Sequence, residues 1–191
     1  MILINTEYYR KRFEKHVATY TDYGNIKIID FANPASSEYR IRFLFEDDQY
    51  RLHISGDLGE LIAKNAYNMT FQSFYQDFAN NPGYFCEKVQ CCSRPVYYYD
   101  ESSAKEEVTK MLNDYCDFTL SQRSEYIDEI FAYFSETEGF SGSGSLALTE
   151  ALDDKDLYCC EQIKKLSKRM TDIIPLYLFA FTLAYKQLQL D

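Results

Sequence analysis

Two short stretches of strictly alternating residues constrain the fold of this chain more than any other feature. Tyr39 to Phe45 places Tyr39, Ile41, Phe43 and Phe45 on one side and Arg40, Arg42 and Leu44 on the other. Tyr50 to Ile54 sets Tyr50, Leu52 and Ile54 against Arg51 and His53. A period of two is the period of a strand, whose successive side chains point to opposite faces. Only Glu46-Asp47-Asp48-Gln49 separates the stretches, so they are expected to pair antiparallel as a hairpin. Such a hairpin buries one apolar face and leaves the other polar and charged.

The remaining pattern extends this hairpin into a meander of about four strands. Ile26 to Phe31 is β-branched and apolar, and Glu60 to Ala66 follows the turn Ser55-Gly56-Asp57-Leu58-Gly59. A helix is expected from Asn5-Thr6-Glu7 to about Thr19, with Tyr9, Phe13, Val17 and Tyr20 at helical spacing and a turn at Tyr23-Gly24-Asn25. Thr70 caps an aromatic helix bearing Phe71, Phe74, Tyr75 and Phe78, and Tyr84 to Gln90 reads as another short helix. From Glu101 the pattern turns helical, over about Ser103 to Phe118, Ser121 to Thr137 and Leu146 to Lys168, the last broken near Asp153-Asp154. Gly139 to Ser145 reads as a flexible Gly-Ser linker. The last helix starts at Thr171-Asp172 and tolerates Pro175 in its first turn. The expected fold is α+β: an antiparallel sheet packed by helices in residues 1–100, then an acidic helical part in residues 101–191.

The charge is as unevenly distributed as the pattern. Residues 101 to 161 hold fifteen Asp or Glu against Lys105, Lys110, Arg123 and Lys155, a net charge of −11 in a chain whose total is −10. A concentrated anionic surface repels nucleic acid and attracts basic grooves. Asp128, Glu129, Glu136, Glu138, Asp153, Asp154 and Asp156 are the candidate partner-binding acids. On the other side of the balance, Arg40, Arg42 and Arg51 line one face of the expected sheet. With Tyr and Phe nearby, they are candidate contacts for single-stranded RNA.

The aromatic residues are eighteen Tyr and fourteen Phe, with no Trp. Tyrosine suits half-buried positions and binding surfaces, because its ring is apolar and its tip polar. The opening Met1-Ile2-Leu3-Ile4 precedes Arg10-Lys11-Arg12, the reverse of the charge order in a secretory signal. The longest apolar run, Ile173 to Tyr185, falls short of the about 20 residues a span requires. A cytosolic location without membrane contact is therefore expected. Cys86, Cys91, Cys92, Cys116, Cys159 and Cys160 include two adjacent pairs, poorly spaced for disulfides or zinc, and read as reduced thiols. No cofactor or metal is expected.

Chemical motifs are sparse. Ser55-Gly56-Asp57-Leu58-Gly59-Glu60 lacks the spacing and the strand-to-helix context of a phosphate-binding loop, and reads as a tight hairpin. Glu46-Asp47-Asp48 and Asp153-Asp154-Lys155-Asp156 contain enough carboxylates for a metal-dependent nuclease, but consecutive acids project in different directions. His53 and Asp57 form a candidate proton-transfer pair without a nucleophile.

The segment His53-Ile54-Ser55-Gly56-Asp57-Leu58-Gly59, the aromatic helix Phe71 to Phe78 and Tyr84-Phe85-Cys86-Glu87-Lys88 together resemble a module of small proteins from Gram-positive phages and mobile elements. The resemblance covers residues 38 to 100. Some proteins of this kind are anti-CRISPR proteins acting on type II effector nucleases. It implies a type II effector, with or without its guide RNA, as partner, and Ser55, Gly56, Asp57 and Gly59 as the marker hairpin, with no catalytic residue. A generic acidic interaction or immunity protein and an RNA-processing nuclease are the alternatives.

Overall fold

The computed structural model describes residues 6–115, 119–140, 142, 144–153, 160–163, 166 and 168–188. The fold is α+β, and the chain divides into two compact units: Met1–Val96 with Thr171–Asp191, and Tyr97–Met170. The second unit is thus inserted into the chain of the first. The sequence pattern placed the boundary at residue 100 and grouped the last helix with the acidic part. That helix instead belongs to the unit of the sheet.

The first unit is built on a six-stranded antiparallel meander: β1 (Val17–Asp22), β2 (Ile26–Ala32), β3 (Ile41–Glu46), β4 (Arg51–Gly56), β5 (Leu61–Lys64) and β6 (Val89–Cys92). The β3–β4 hairpin closes through a single 3-10 turn, Asp47–Gln49, with Phe43 opposite Ile54 and Phe45 opposite Leu52. This is the register that alternation demands, since a slip by one residue would turn every Phe outward.

The two edge strands of this sheet are elements that the sequence pattern missed. The first helix, α1, stops at Arg12 (Thr6–Arg12), and Val17 to Asp22 pairs with β2. β-branched Val17, Thr19 and Thr21 favour the extended backbone once a partner strand is available. The expected Tyr84–Gln90 helix is split: α3 covers Pro82–Cys86, and Val89 onward pairs with β5 through an irregular register at Ile62/Ala63.

One face of the sheet is covered by α2 (Phe71–Asp77), α3 and α8 (Ile173–Leu188). Phe181 of α8 meets Phe43, Phe45 and Phe74, with ring centroids 5.4, 5.9 and 4.7 Å apart, all edge-on. Edge-to-face rings complement one another's quadrupoles, which adds to the burial of ring area. α8 also completes the exposed edge of β1. Gln187 Oε1 accepts from the Ala18 N–H at 2.9 Å, and Nε2 donates to the His16 carbonyl at 3.0 Å. The carboxamide stands in for a neighbouring strand and satisfies edge groups that would otherwise invite pairing.

The second unit contains β7 (Tyr97–Tyr99), α4 (Glu101–Tyr115), α5 (Leu120–Phe131), α6 (Ser145–Asp153), α7 (Cys160–Ile163) and β8 (Lys168–Met170), with β7 and β8 paired antiparallel. Its core is formed by Ala104, Val108, Met111, Leu112, Ile130, Phe140, Leu148, Leu152 and Ile163. Thr119 and Gln122 start α5 with a reciprocal capping box. α5 ends at Phe131, before the expected Thr137. Gly139 is not part of a free linker. Its N–H and carbonyl bond to Ser135, it takes φ 60°, and Phe140 beside it is fully buried. A Cβ on Gly139 would collide with the Tyr99 ring, so glycine is required there by packing. The last part of the expected Leu146–Lys168 helix is strand β8 at Lys168, because Tyr97–Tyr99 offers it a partner. Among the described residues, no helix is long and apolar enough to cross a membrane.

Candidate functional site

The polar face of the six-stranded sheet gathers part of the expected basic patch. Registers place Thr19, Asp30, Arg42 and Ser55 in one row across β1 to β4. Arg40 lies two residues before Arg42. The two sit beside the β4–β5 turn, in a groove of about 430 Å³ lined by Asp30, Arg40, Arg42, Ser55, Gly56, Asp57 and Glu60.

Backbone geometry fixes this arrangement. The Asp57 N–H donates to the Arg40 carbonyl at 3.0 Å, and the Arg40 N–H to Asp57 Oδ2 at 3.3 Å. Gly56 has φ 144°, and a Cβ there would run into the Arg40 carbonyl, so only glycine permits this close approach. On the other side of the turn, Ser93 ties down Glu60. Its hydroxyl accepts from the Glu60 N–H at 2.8 Å, and its own N–H donates to the Glu60 carbonyl at 2.8 Å.

The arginines are not equivalent. Arg42 forks onto Asp30 through Nε at 2.7 Å and Nη2 at 2.9 Å, and this pairing raises its pKa. Arg40 is exposed, and its guanidinium has no partner among the described residues. Arg51 lies outside the groove. It pairs with Glu46 at 3.2 Å, and His53 Nε2 approaches the same carboxylate oxygen at 3.2 Å. The structure therefore unites Arg40 with Arg42 and separates both from Arg51. His53 and Asp57 are not paired, because Glu46 sits across the β3–β4 ladder from Arg51 and claims the histidine.

Of the carboxylates expected as a possible metal cage, Glu46 and Asp47 have structural partners instead. Asp47 binds Lys27 at 2.7 Å and accepts from the Phe71 N–H at 2.8 Å, where it joins the turn to the start of α2. Among the described residues, no three His, Cys, Asp or Glu side chains gather as a metal site requires.

The acidic candidates lie in the second unit. Asp128 and Glu129 are on α5, Glu136 and Glu138 in the turns after it, and Asp153 ends α6, all exposed. Asp154 and Asp156 lie outside the described residues. Glu129 borders a small crevice with Tyr126, Tyr133, Ala151 and Leu152, so the α5 acids adjoin the end of α6 that carries Asp153. Asp128, Glu136, Glu138 and Asp153 have no ion-pair partner among the described residues. Ion pairs here include Lys105–Glu101 at 2.8 Å and Arg169–Glu107 at 2.5 Å, neither of which involves that group. By sequence, this unit holds sixteen acidic against eight basic residues, and the first unit fourteen against twelve.

The groove itself was only partly legible from sequence. Asp30 was missed because it comes from β2, which the register alone brings beside Arg42, and Glu60 because nothing in the sequence ties the end of the β4–β5 turn to that row. Compared with protein-family models, curated proteins and solved structures, the chain matches none.

Proposed function

We propose that this protein is an anti-CRISPR inhibitor of a type II effector nuclease, acting through the acidic helical unit. The observation that carries the reading is the segregation of charge. Exposed Asp128, Glu136, Glu138 and Asp153, without ion-pair partners among the described residues, belong to one compact unit, while the sheet unit stays close to balance. Type II effectors hold guide RNA and target DNA in positively charged channels. A folded surface of carboxylates competes for such a channel in place of phosphates, and its field speeds association at low salt. A host effector would place its action in the bacterial cytoplasm. The nuclease alternative is disfavoured by the structural partners of Glu46 and Asp47.

The test is inhibition of target-DNA cleavage by a type II effector loaded with guide RNA. Replacing Asp128, Glu129, Glu136, Glu138 and Asp153 by Lys should abolish inhibition while the circular dichroism spectrum is kept. Wild-type inhibition should weaken as salt rises from about 0.05 to 0.3 M, as screening shortens the range of the field. Full inhibition by the folded charge-reversed variant would rule out the acidic-surface reading.

A further inference from the structure

The groove at Arg40 is not used by the reading above. It lies in the near-neutral unit, and its lining is polar rather than the apolar wall typical of small-molecule pockets. Its donors and acceptors are sorted. Asp30 holds Arg42 by one N–H each of Nε and Nη2, which leaves three of the five N–H groups to a ligand and fixes the plane of the guanidinium. Arg40 brings a whole guanidinium with no competing partner among the described residues. Ser55 faces Arg42 across the strand pair and adds a hydroxyl. Arg40 stands just before β3, after Tyr39 with φ 59°, and lines the groove together with Arg42.

Facing these donors are two acceptors. Asp57 uses Oδ2 for the Arg40 N–H, and the Glu60 side chain has no partner among the described residues. Carboxylates repel phosphate but accept from hydroxyls. A ligand that satisfies both sets must carry anionic phosphates and hydroxyl donors side by side. We infer that the groove binds the sugar–phosphate backbone of single-stranded RNA. Arg40 and Arg42 hold neighbouring phosphates, and Asp57 and Glu60 accept from 2′-hydroxyls. The 2′-hydroxyl is the group that distinguishes RNA from DNA at such a site. The assignment is independent of the inhibitor reading, since it invokes no residue of the acidic unit.

The experiment is fluorescence anisotropy on the full chain with labelled oligouridylate and with oligodeoxyuridylate of the same length. The RNA should bind about fivefold tighter or more, the worth of one or two net hydrogen bonds. Arg40→Ala should weaken RNA binding about tenfold, as expected for loss of a charge-assisted contact. Lys64→Ala, on the same sheet face but outside the groove, should change it less than about twofold. Glu60→Ala, which removes one acceptor while the backbone bonds of this residue to Ser93 are kept, should lower the preference for RNA over DNA without weakening DNA binding. With two phosphates engaged, the logarithm of affinity should fall with the logarithm of salt at a slope of about −1.4.

Equal affinity for RNA and DNA, or equal losses for Arg40→Ala and Lys64→Ala, would overturn the assignment. Competition by uridine monophosphate as strong as by the oligomer would overturn it in favour of a free-nucleotide pocket. Capture of a basic peptide that depends on Asp57 and Glu60, with no RNA binding, would overturn it in favour of a cationic ligand.

Discussion

The two units of this chain solve the same folding problem with different materials. The sheet unit is held by interlocked rings: Phe74 alone meets Phe45, Phe78, Phe85 and Phe181 within 5.5 Å. Its charges are largely matched, as in Lys27–Asp47, Arg42–Asp30 and Arg51–Glu46. The helical unit has a largely aliphatic buried core that includes Phe140, and Asp128, Glu136, Glu138 and Asp153 have no ion-pair partner among its described residues. Matched surface charge contributes little to stability, whereas unmatched charge of one sign works against compactness. An unmatched field that the fold does not use is available to a partner, and this contrast is the physical basis for the proposal that the helical unit binds one.

The contrast can be tested most severely by removing one buried ring from each core. Phe181→Ala and Phe140→Ala should each cost about 3–5 kcal/mol, the range for a buried Phe lost to a cavity. Hydrogen exchange should then accelerate in β3 and β4 for the first, and in α4 and α5 for the second. Acceleration of both sets of amides by either variant would show that the units unfold as one.

A smaller effect, confined to the sheet unit, depends on pH. His16 is only 4 % exposed, packed edge-on against Phe13 with ring centroids 5.0 Å apart, and its Nε2 lies 3.2 Å from the Tyr39 carbonyl. Burial lowers its pKa from 6.5, with the Tyr39 carbonyl opposing the shift. The folded state thus prefers the neutral ring, and the unfolded chain binds the extra proton. The contribution of His16 should be intact above pH 6.5 and decline as pH falls below it, until the folded-state ring itself protonates. Urea midpoints between pH 5 and 8 should show this loss, and His16→Gln should flatten it. A wild-type profile identical to that of His16→Gln would refute it.

The smallest expected effect belongs to the helical unit. Thr119→Ala removes the hydroxyl that accepts from the Gln122 N–H and should cost about 1 kcal/mol. Thermal unfolding followed at 222 nm checks this, and Thr119→Ser should restore most of the loss.

Legibility from sequence followed how local the determining interaction was. The β3–β4 hairpin was readable because alternation and a four-residue turn specify it within one stretch of chain. The Thr70 cap was readable for the same reason, with its side chain accepting from the Ser73 N–H. β1 was misread as helix because Phe13, Val17 and Tyr20 also satisfy helical spacing. Only pairing with β2, and the strand-like grip of Gln187, decides for extended backbone. Gly139 was read as linker because glycine and serine suggest freedom, yet its lack of a Cβ is what admits the Tyr99 ring. Of the candidate site, Arg40, Arg42 and the Ser55–Asp57 turn were visible as residues. The ion pair of Arg42 was not, because Asp30 reaches it through register across separate strands.

By itself, the sequence determined the α+β class, the central hairpin and its register, and the gathering of negative charge into one stretch. Each of these is set by spacing or composition along a continuous run of residues. The tertiary structure decided that α8 closes the core of the sheet rather than extending the acidic helices. It decided that, among the described residues, Arg42 and Arg51 are paired while Arg40 is not, and that Asp128, Glu136, Glu138 and Asp153 belong to one compact unit. Those outcomes depend on which distant residues packing brings together. Apolar area drove α8 and its Phe181 onto Phe43, Phe45 and Phe74, and the charges followed where that packing placed them.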